Sequence, residues 1–247
     1  MPIFATTYNF MDAQKILHFL TDVAVNNNRP WFQEHKPEYE ESKAEFESGV
    51  SELIAELSKF DVSIANLTPK DCCYRFYRDI RFSKDKSPYK RHFGAYISAH
   101  GKKGLHGGYY LHMQPGHSMV AVGCYWLPTN ILTSMRNEIM GNIYEWRRCV
   151  EDKKFIKLFG KPNETEWSDE LPTSDYGFGI SCLKTAPKDF PKDYEFLNYL
   201  KMKDYCAWRC IDDDFFTKTD WAKNAAKIFK VAKPMMDFVN SVVDDYE

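Results

Sequence analysis

The feature that most restricts the fold is a change of hydrophobic period at Asp71. Upstream, apolar residues recur every three or four positions: Ile16, Phe19, Leu20 and Val23, then Phe46, Val50, Leu53, Leu57 and Phe60. That spacing collects them on one face of a helix. Glu40, Glu41, Lys43, Glu45, Glu47 and Glu52 fill the opposite face of the second stripe. The first run stops at Asn26-Asn27-Asn28, residues suited to a helix C-terminus, and Pro37 suits the first turn of the next helix. Arg29-Pro30 between them reads as a loop. From Asp71 onward the period is two. Residues 72–77 alternate, which predicts a strand with Tyr74 and Phe76 on one face and Arg75 and Tyr77 on the other. Residues 93–99, 108–114 and 118–126 read as further strands, separated by the turn-rich stretches 100–104 and 115–117. Strands this close in sequence favour an antiparallel meander.

After the strands, Thr129 or Asn130 can cap a helix whose inner stripe is Leu132, Met135, Ile139, Ile143 and Trp146. Residues 160–180 read as a loop or boundary, 182–185 as a short strand, 192–200 as a short helix and 205–211 as a strand. A last helix begins near Lys218 and is expected to break near Pro234. The expected fold is therefore α+β, an antiparallel, meander-like sheet flanked by N-terminal and C-terminal helices. A chain of 247 residues fits one such domain, 1–247, with residues 160–180 as the place where a subdivision would fall.

No apolar run approaches the length of a membrane-spanning helix, and the first residues lack a basic segment followed by an apolar core. The seven cysteines, at 72, 73, 124, 149, 182, 206 and 210, are odd in number and form no CxxC. Reduced thiols and a cytoplasmic protein are the expectation, with no membrane partner. The spacing of Cys206 and Cys210 is a weak zinc signal without a second pair.

Charge is unevenly placed. Residues 1–74 carry 6 Lys+Arg against 12 Asp+Glu, whereas residues 75–92 carry 7 against 2. In that segment Arg75, Arg78 and Arg81 fall at intervals of three beside aromatic residues, with Lys84, Lys86 and Lys90 close behind. A guanidinium offers a planar donor fork that matches carboxylate or phosphate oxygens and stacks on rings. Asp79 and Asp85 are too few to neutralise the cluster and are suited to orienting particular arginines. The residues expected to bind an anion are Arg75, Tyr77, Arg78, Asp79, Arg81, Lys84, Lys86, Tyr89 and Lys90. A solvated polar face is the plain competing account of the same residues.

The stretch RFYRDIRFSKDKSPYK, Arg75 to Lys90, resembles the signature of an uncharacterised, mostly bacterial family known as domain of unknown function 2461. Further matching pieces are Asn27-Asn28-Arg29-Pro30-Trp31-Phe32, Gly107-Gly108-Tyr109-Tyr110-Leu111-His112 with Pro115-Gly116, Leu183-Lys184-Thr185-Ala186-Pro187-Lys188, and Leu200-Lys201-Met202-Lys203. Asp189 stands where the family pattern calls for glycine. The resemblance runs from about Ala13 to Asn240 and implies one compact α+β unit. It implies no activity, catalytic residue or cofactor.

Other constellations are weaker. His100, His106, His112 and His117 would have to converge to hold zinc, and are expected as surface or hydrogen-bonded histidines. Gly107-Gly108 precedes a strand, not a helix, so it is no phosphate-binding loop. Ser83, Ser87 and Cys73 lie near the basic segment with His92 as a base, but no GxSxG elbow or ordered triad accompanies them. Lys184, Lys188, Lys201 and Lys203 read first as solubilising charges around short elements, with completion of the same basic site from across the fold as the alternative. The expected function is binding of a phosphate- or carboxylate-bearing small molecule, with no metal or cofactor. The alternatives are an enzyme acting on an anionic substrate at the same site, or a module binding nucleic acid or a partner protein. Nucleic acid ranks below a small anion because the chain as a whole is acidic, with a formal charge of −2. Nothing in the sequence sets an oligomeric state.

Overall fold

Asp12 starts the first helix by accepting a hydrogen bond from the Lys15 amide at 3.0 Å, and α1 (Ala13–Val25) follows. A computed structural model describes residues 11–162 and 174–246 of the chain. Asn26 ends α1, and Asn28 caps α2 (Arg29–Glu34) by accepting from the Trp31 amide at 3.0 Å. The stretch expected as a loop is thus a short helix, because an Asn cap followed by Pro30 supplies two start signals at once. In α3 (Lys36–Leu57), Phe46, Val50, Leu53 and Leu57 are buried as their spacing predicts, while Phe60 lies past the helix end.

The strand expected over residues 72–77 is not there. Thr68-Pro69-Lys70-Asp71 forms a capping box and starts the single turn α4 (Pro69–Cys72). Only Cys73 and Tyr77 then make isolated bridges, to Ala95 and Tyr89. The expected division of faces fails for Phe76, which is buried while Tyr74 is exposed.

The meander follows as expected, with β1 (Phe93–Ile97), β2 (Gly108–Met113) and β3 (Ser118–Cys124) paired antiparallel. Helices α5 (Thr129–Gly141), α6 (Ile143–Val150) and α7 (Lys153–Phe159) come next. The single helix expected from Thr129 is split at Asn142, whose backbone (φ −120°, ψ 40°) leaves the helical region. Residues 160–180 were expected to be irregular, yet β4 (Tyr176–Phe178) lies within them; positions 163–173 fall outside the described residues. The strand expected at 182–185 is one bridge, Cys182 to Met202, and the helix α8 (Leu197–Lys201) is shorter than expected. β5 (Tyr205–Ile211) and the turn α9 (Asp213–Phe216) lead into α10 (Trp221–Val243). Pro234 does not break α10. It sits on the solvent side, and the carbonyl it leaves without a donor belongs to exposed Lys230, within reach of water.

The sheet order is β1-β2-β3-β5-β4, antiparallel throughout. One face carries Phe93, Ala95, Ile97, Tyr109, Leu111, Val120, Val122 and Ala207, all buried beneath the helices. α10 crosses this face against β3 and also packs on α3, α5 and α6. The other face carries Tyr96, Tyr110, His112, Ala121 and Trp208. Gly123 (φ +111°) lets β3 approach β5, since a Cβ there would lie 2.2 Å from the Tyr205 carbonyl oxygen. All seven cysteines are free thiols, and no helix among the described residues is long and apolar enough to cross a membrane.

Candidate functional site

The basic segment leaves the sheet edge and returns to it. The Arg78 amide donates to the Pro88 carbonyl and the Lys90 amide to the Phe76 carbonyl, each at 2.9 Å. Phe76 and Tyr89 anchor the two ends in an aromatic cluster: Tyr89 stacks on Phe32 at 3.9 Å, and Phe76 lies 5.1 Å from Phe93. Asn27 imitates a strand partner for Tyr89, donating to its carbonyl at 2.9 Å and accepting from its amide at 3.0 Å.

Within the loop, most of the charge is spent internally. Arg78 donates to Asp85 at 2.6 Å, to the Ser87 carbonyl at 3.1 Å and to the Ser83 hydroxyl at 3.2 Å. Asp85 also accepts from the Ser87 hydroxyl and amide, and these bonds together with Arg78 hold its carboxyl well below the usual range. Arg81 forms a bidentate pair with Asp79, with contacts of 3.0 and 2.7 Å. Lys86 donates to the Ile80 carbonyl, while Lys84 and Tyr77 are exposed. Of the cations among the nine residues expected to hold an anion, Arg78, Arg81 and Lys86 are engaged within the loop, Lys84 faces solvent, and Arg75 and Lys90 turn toward other elements. The Lys90 ammonium lies 5.3 Å over the Tyr74 ring, and burial and then Arg75 lower its pKa.

Arg75 lines a cavity of about 510 Å³ between α3 and the sheet edge. Tyr39, Phe46, Cys73 and Phe93 contribute apolar surface, and Lys43, Lys70, Lys102 and Lys103 bring further positive charge. Glu47 is the one carboxylate in the lining, 3.8 Å from Lys43. Lys102 donates to the Lys70 and Cys73 carbonyls at 2.8 and 3.0 Å, which ties the β1–β2 connection to α4. Arg75, Lys70 and Lys103 have no ion-pair partner among the described residues. Burial pushes the Tyr39 hydroxyl and the Cys73 thiol each up to about 12.

Sequence reasoning found Arg75 but missed the lysines. Lys43 lies on a helix face that reads as solvated, and Lys102-Lys103 sit among turn residues. Only the tertiary fold brings them beside Arg75. Lys184, Lys188, Lys201 and Lys203 do not line the cavity. On the outer sheet face His92 stacks on His112 with ring centroids 4.1 Å apart, and burial first, then His112 and Lys90, lower its pKa to about 3. His92 is therefore neutral across the physiological range. With its proton on Nε2, His112 donates to Gln114 at 3.2 Å and accepts from the Tyr110 hydroxyl at 2.9 Å.

The model of a family described as "Conserved hypothetical protein (DUF2461)" matches residues 15–238. No curated protein and no solved structure matches the chain.

Proposed function

The chain belongs to the DUF2461 family of conserved hypothetical proteins, and we propose, from the make-up of the cavity lined by Arg75, that it binds an amphipathic organic anion there. The ligand class is a carboxylate or phosphate head on a flat or elongated apolar body. The observation that carries this reading is the make-up of one cavity: aromatic surface from Tyr39, Phe46 and Phe93, with five cations against a single carboxylate. A volume of about 510 Å³ falls within the range usual for small-molecule sites, and an apolar lining with a few charged groups is the usual composition. Arg75 supplies the planar fork for the head group, and the lysines supply point charges.

Binding suits the site better than proton transfer. Tyr39 and Cys73 hold their protons up to about 12, and burial raises the pKa of the Tyr74 hydroxyl, a third titratable group of the lining, as well. Nucleic-acid binding through the basic segment is the weaker account, since Arg78, Arg81 and Lys86 are engaged within their own loop.

The test is a thermal-shift and calorimetric screen of the full chain with aromatic carboxylates, fatty acids and nucleoside monophosphates. At least one class is expected to raise the melting temperature and to bind less tightly as salt is added. An Arg75→Ala/Lys103→Ala double variant should lose at least about tenfold in affinity, in keeping with charge-assisted bonds. Arg81→Ala should bind as the wild type does. If every compound stabilises wild type and double variant equally, the proposal fails.

A further inference from the structure

Away from that cavity, the fold gathers two histidines and a carboxylate from distant parts of the chain. His100 lies in the β1–β2 connection, His106 just before β2, and Asp244 in the 3-10 turn Asp244–Tyr246 that follows α10. Their ligand atoms, one from each residue, all lie within 4.8 Å of one another. We infer that these three residues form a binding site for a divalent transition-metal ion such as Zn²⁺.

The donor set decides the class of ion. Two imidazoles and one carboxylate suit Zn²⁺, Co²⁺ or Ni²⁺, whereas calcium and magnesium call for oxygen ligands throughout. A tetrahedral centre with bonds of about 2.0–2.1 Å spaces its ligands about 3.4 Å apart, so metal uptake would spread the His106–Asp244 contact slightly and reorient the His100 ring. His106 Nε2 is already 2.7 Å from Asp244 Oδ1. In the metal-free chain this contact is a hydrogen bond, and the ion would take the place of its proton. The His100 ring stacks on His106 with centroids 3.5 Å apart and planes 8° from parallel, so its lone pair does not yet converge with that of His106. His106 is buried and already aimed at Asp244, and His100 is the exposed member whose ring would have to turn to complete the set.

Two surrounding features support the site. The three residues line a common cavity of about 170 Å³, which leaves room for water as a fourth ligand. The backbone beneath them is fixed independently: the Gly107 amide donates to Asn240 Oδ1 at 2.7 Å, holding the end of α10 against the start of β2. His112 and His117, singled out with them in the sequence, lie elsewhere, on the outer sheet face and at the exposed β2–β3 turn. Asp244 carried no sequence signal, being 138 residues from His106.

Titration of the metal-stripped full chain with ZnCl₂ by calorimetry should show one equivalent bound. Cobalt(II) should give ligand-field bands without a thiolate-to-metal charge-transfer band, which sets this site apart from any of the cysteines. His100→Ala and Asp244→Ala alter exposed positions and should each weaken Zn²⁺ binding at least about tenfold, since even outer partners of metal ligands are worth that much. His117→Ala and Arg75→Ala should leave it unchanged, the second keeping this outcome separate from that of the anion site. The inference is overturned if the wild type takes up no zinc, if His100→Ala binds it equally well, or if cobalt shows sulfur ligation.

Discussion

Replacing Arg78 by alanine is the sharpest test of how the basic loop divides its labour. This guanidinium bonds within its own loop, to Asp85, the Ser87 carbonyl and the Ser83 hydroxyl. Its bonds to the Ser87 carbonyl and the Ser83 hydroxyl, at 3.1 and 3.2 Å, are part-buried. Two such bonds contribute about 0.5–1.5 kcal/mol each. The Asp85 partner has a side chain 50% exposed, so that ion pair is screened by water and adds little. Arg78→Ala should therefore lower stability by about 1–3 kcal/mol. For a chain of this size each kcal/mol moves the melting temperature by about 2–4 °C, which predicts a fall of roughly 2–12 °C. Urea denaturation with an unchanged m-value would confirm that the native state, not the unfolded one, has been altered. Arg81→Ala serves as the control, since its side chain is 76% exposed and its ion pair with Asp79 lies in open solvent. Its midpoint should match that of the wild type. The reasoning is refuted if the two variants melt alike. It is also refuted if Arg78→Ala keeps full stability while losing ligand affinity as Arg75→Ala/Lys103→Ala does.

Three other perturbations give distinct readouts. Asn27→Ala removes both bonds to the Tyr89 backbone and should cost about 1–2 kcal/mol in chemical denaturation, with Asn27→Asp, which keeps the acceptor, falling in between. Asp189 is the one non-glycine with positive φ (69°) among the described residues, so Asp189→Gly should raise stability by up to about 1 kcal/mol; a lower melting temperature would contradict this. Burial raises the Asp204 pKa to about 6 despite bonds from the Ile180 and Ser181 amides. Between about pH 4 and pH 6 the folded chain holds a proton that the unfolded chain has lost, so stability falls as pH rises through that window, by at most about 3 kcal/mol. Asp204→Asn should flatten this part of the profile relative to wild type, and parallel profiles would refute the assignment.

The sequence carried the fold well where a period ran long enough to be read. The stripes of α1 and α3, the meander β1–β3 and the strand β5 all follow from spacing. Failures came where a few residues of local chemistry outweighed the period, as at the Thr68–Asp71 capping box, the Asn28-Pro30 helix start and the solvent-side Pro234. Asp189 was legible in another way: a position where glycine is expected does take up the left-handed backbone that glycine tolerates best. The candidate site was half legible. Clustered Arg and Lys drew attention to the segment that contains Arg75, but sequence shows only that charges are near one another along the chain. Whether each meets an internal acid, as Arg81 meets Asp79, or faces a cavity, as Arg75 does, is settled by partners such as Lys43 and Lys103 that come from other elements.

The place of α10 in the sheet's cover bears on how the protein is made. Ribosomal synthesis delivers β1, β2 and β3 early, but the strand that pairs with β3 and the helix that roofs its apolar side come last. Until then a nascent chain holds Tyr109, Leu111, Val120 and Val122 without their final neighbours, and β3 has an open edge. Losing the end of the chain would thus expose its middle, and premature termination should yield aggregates in place of a shortened but working protein.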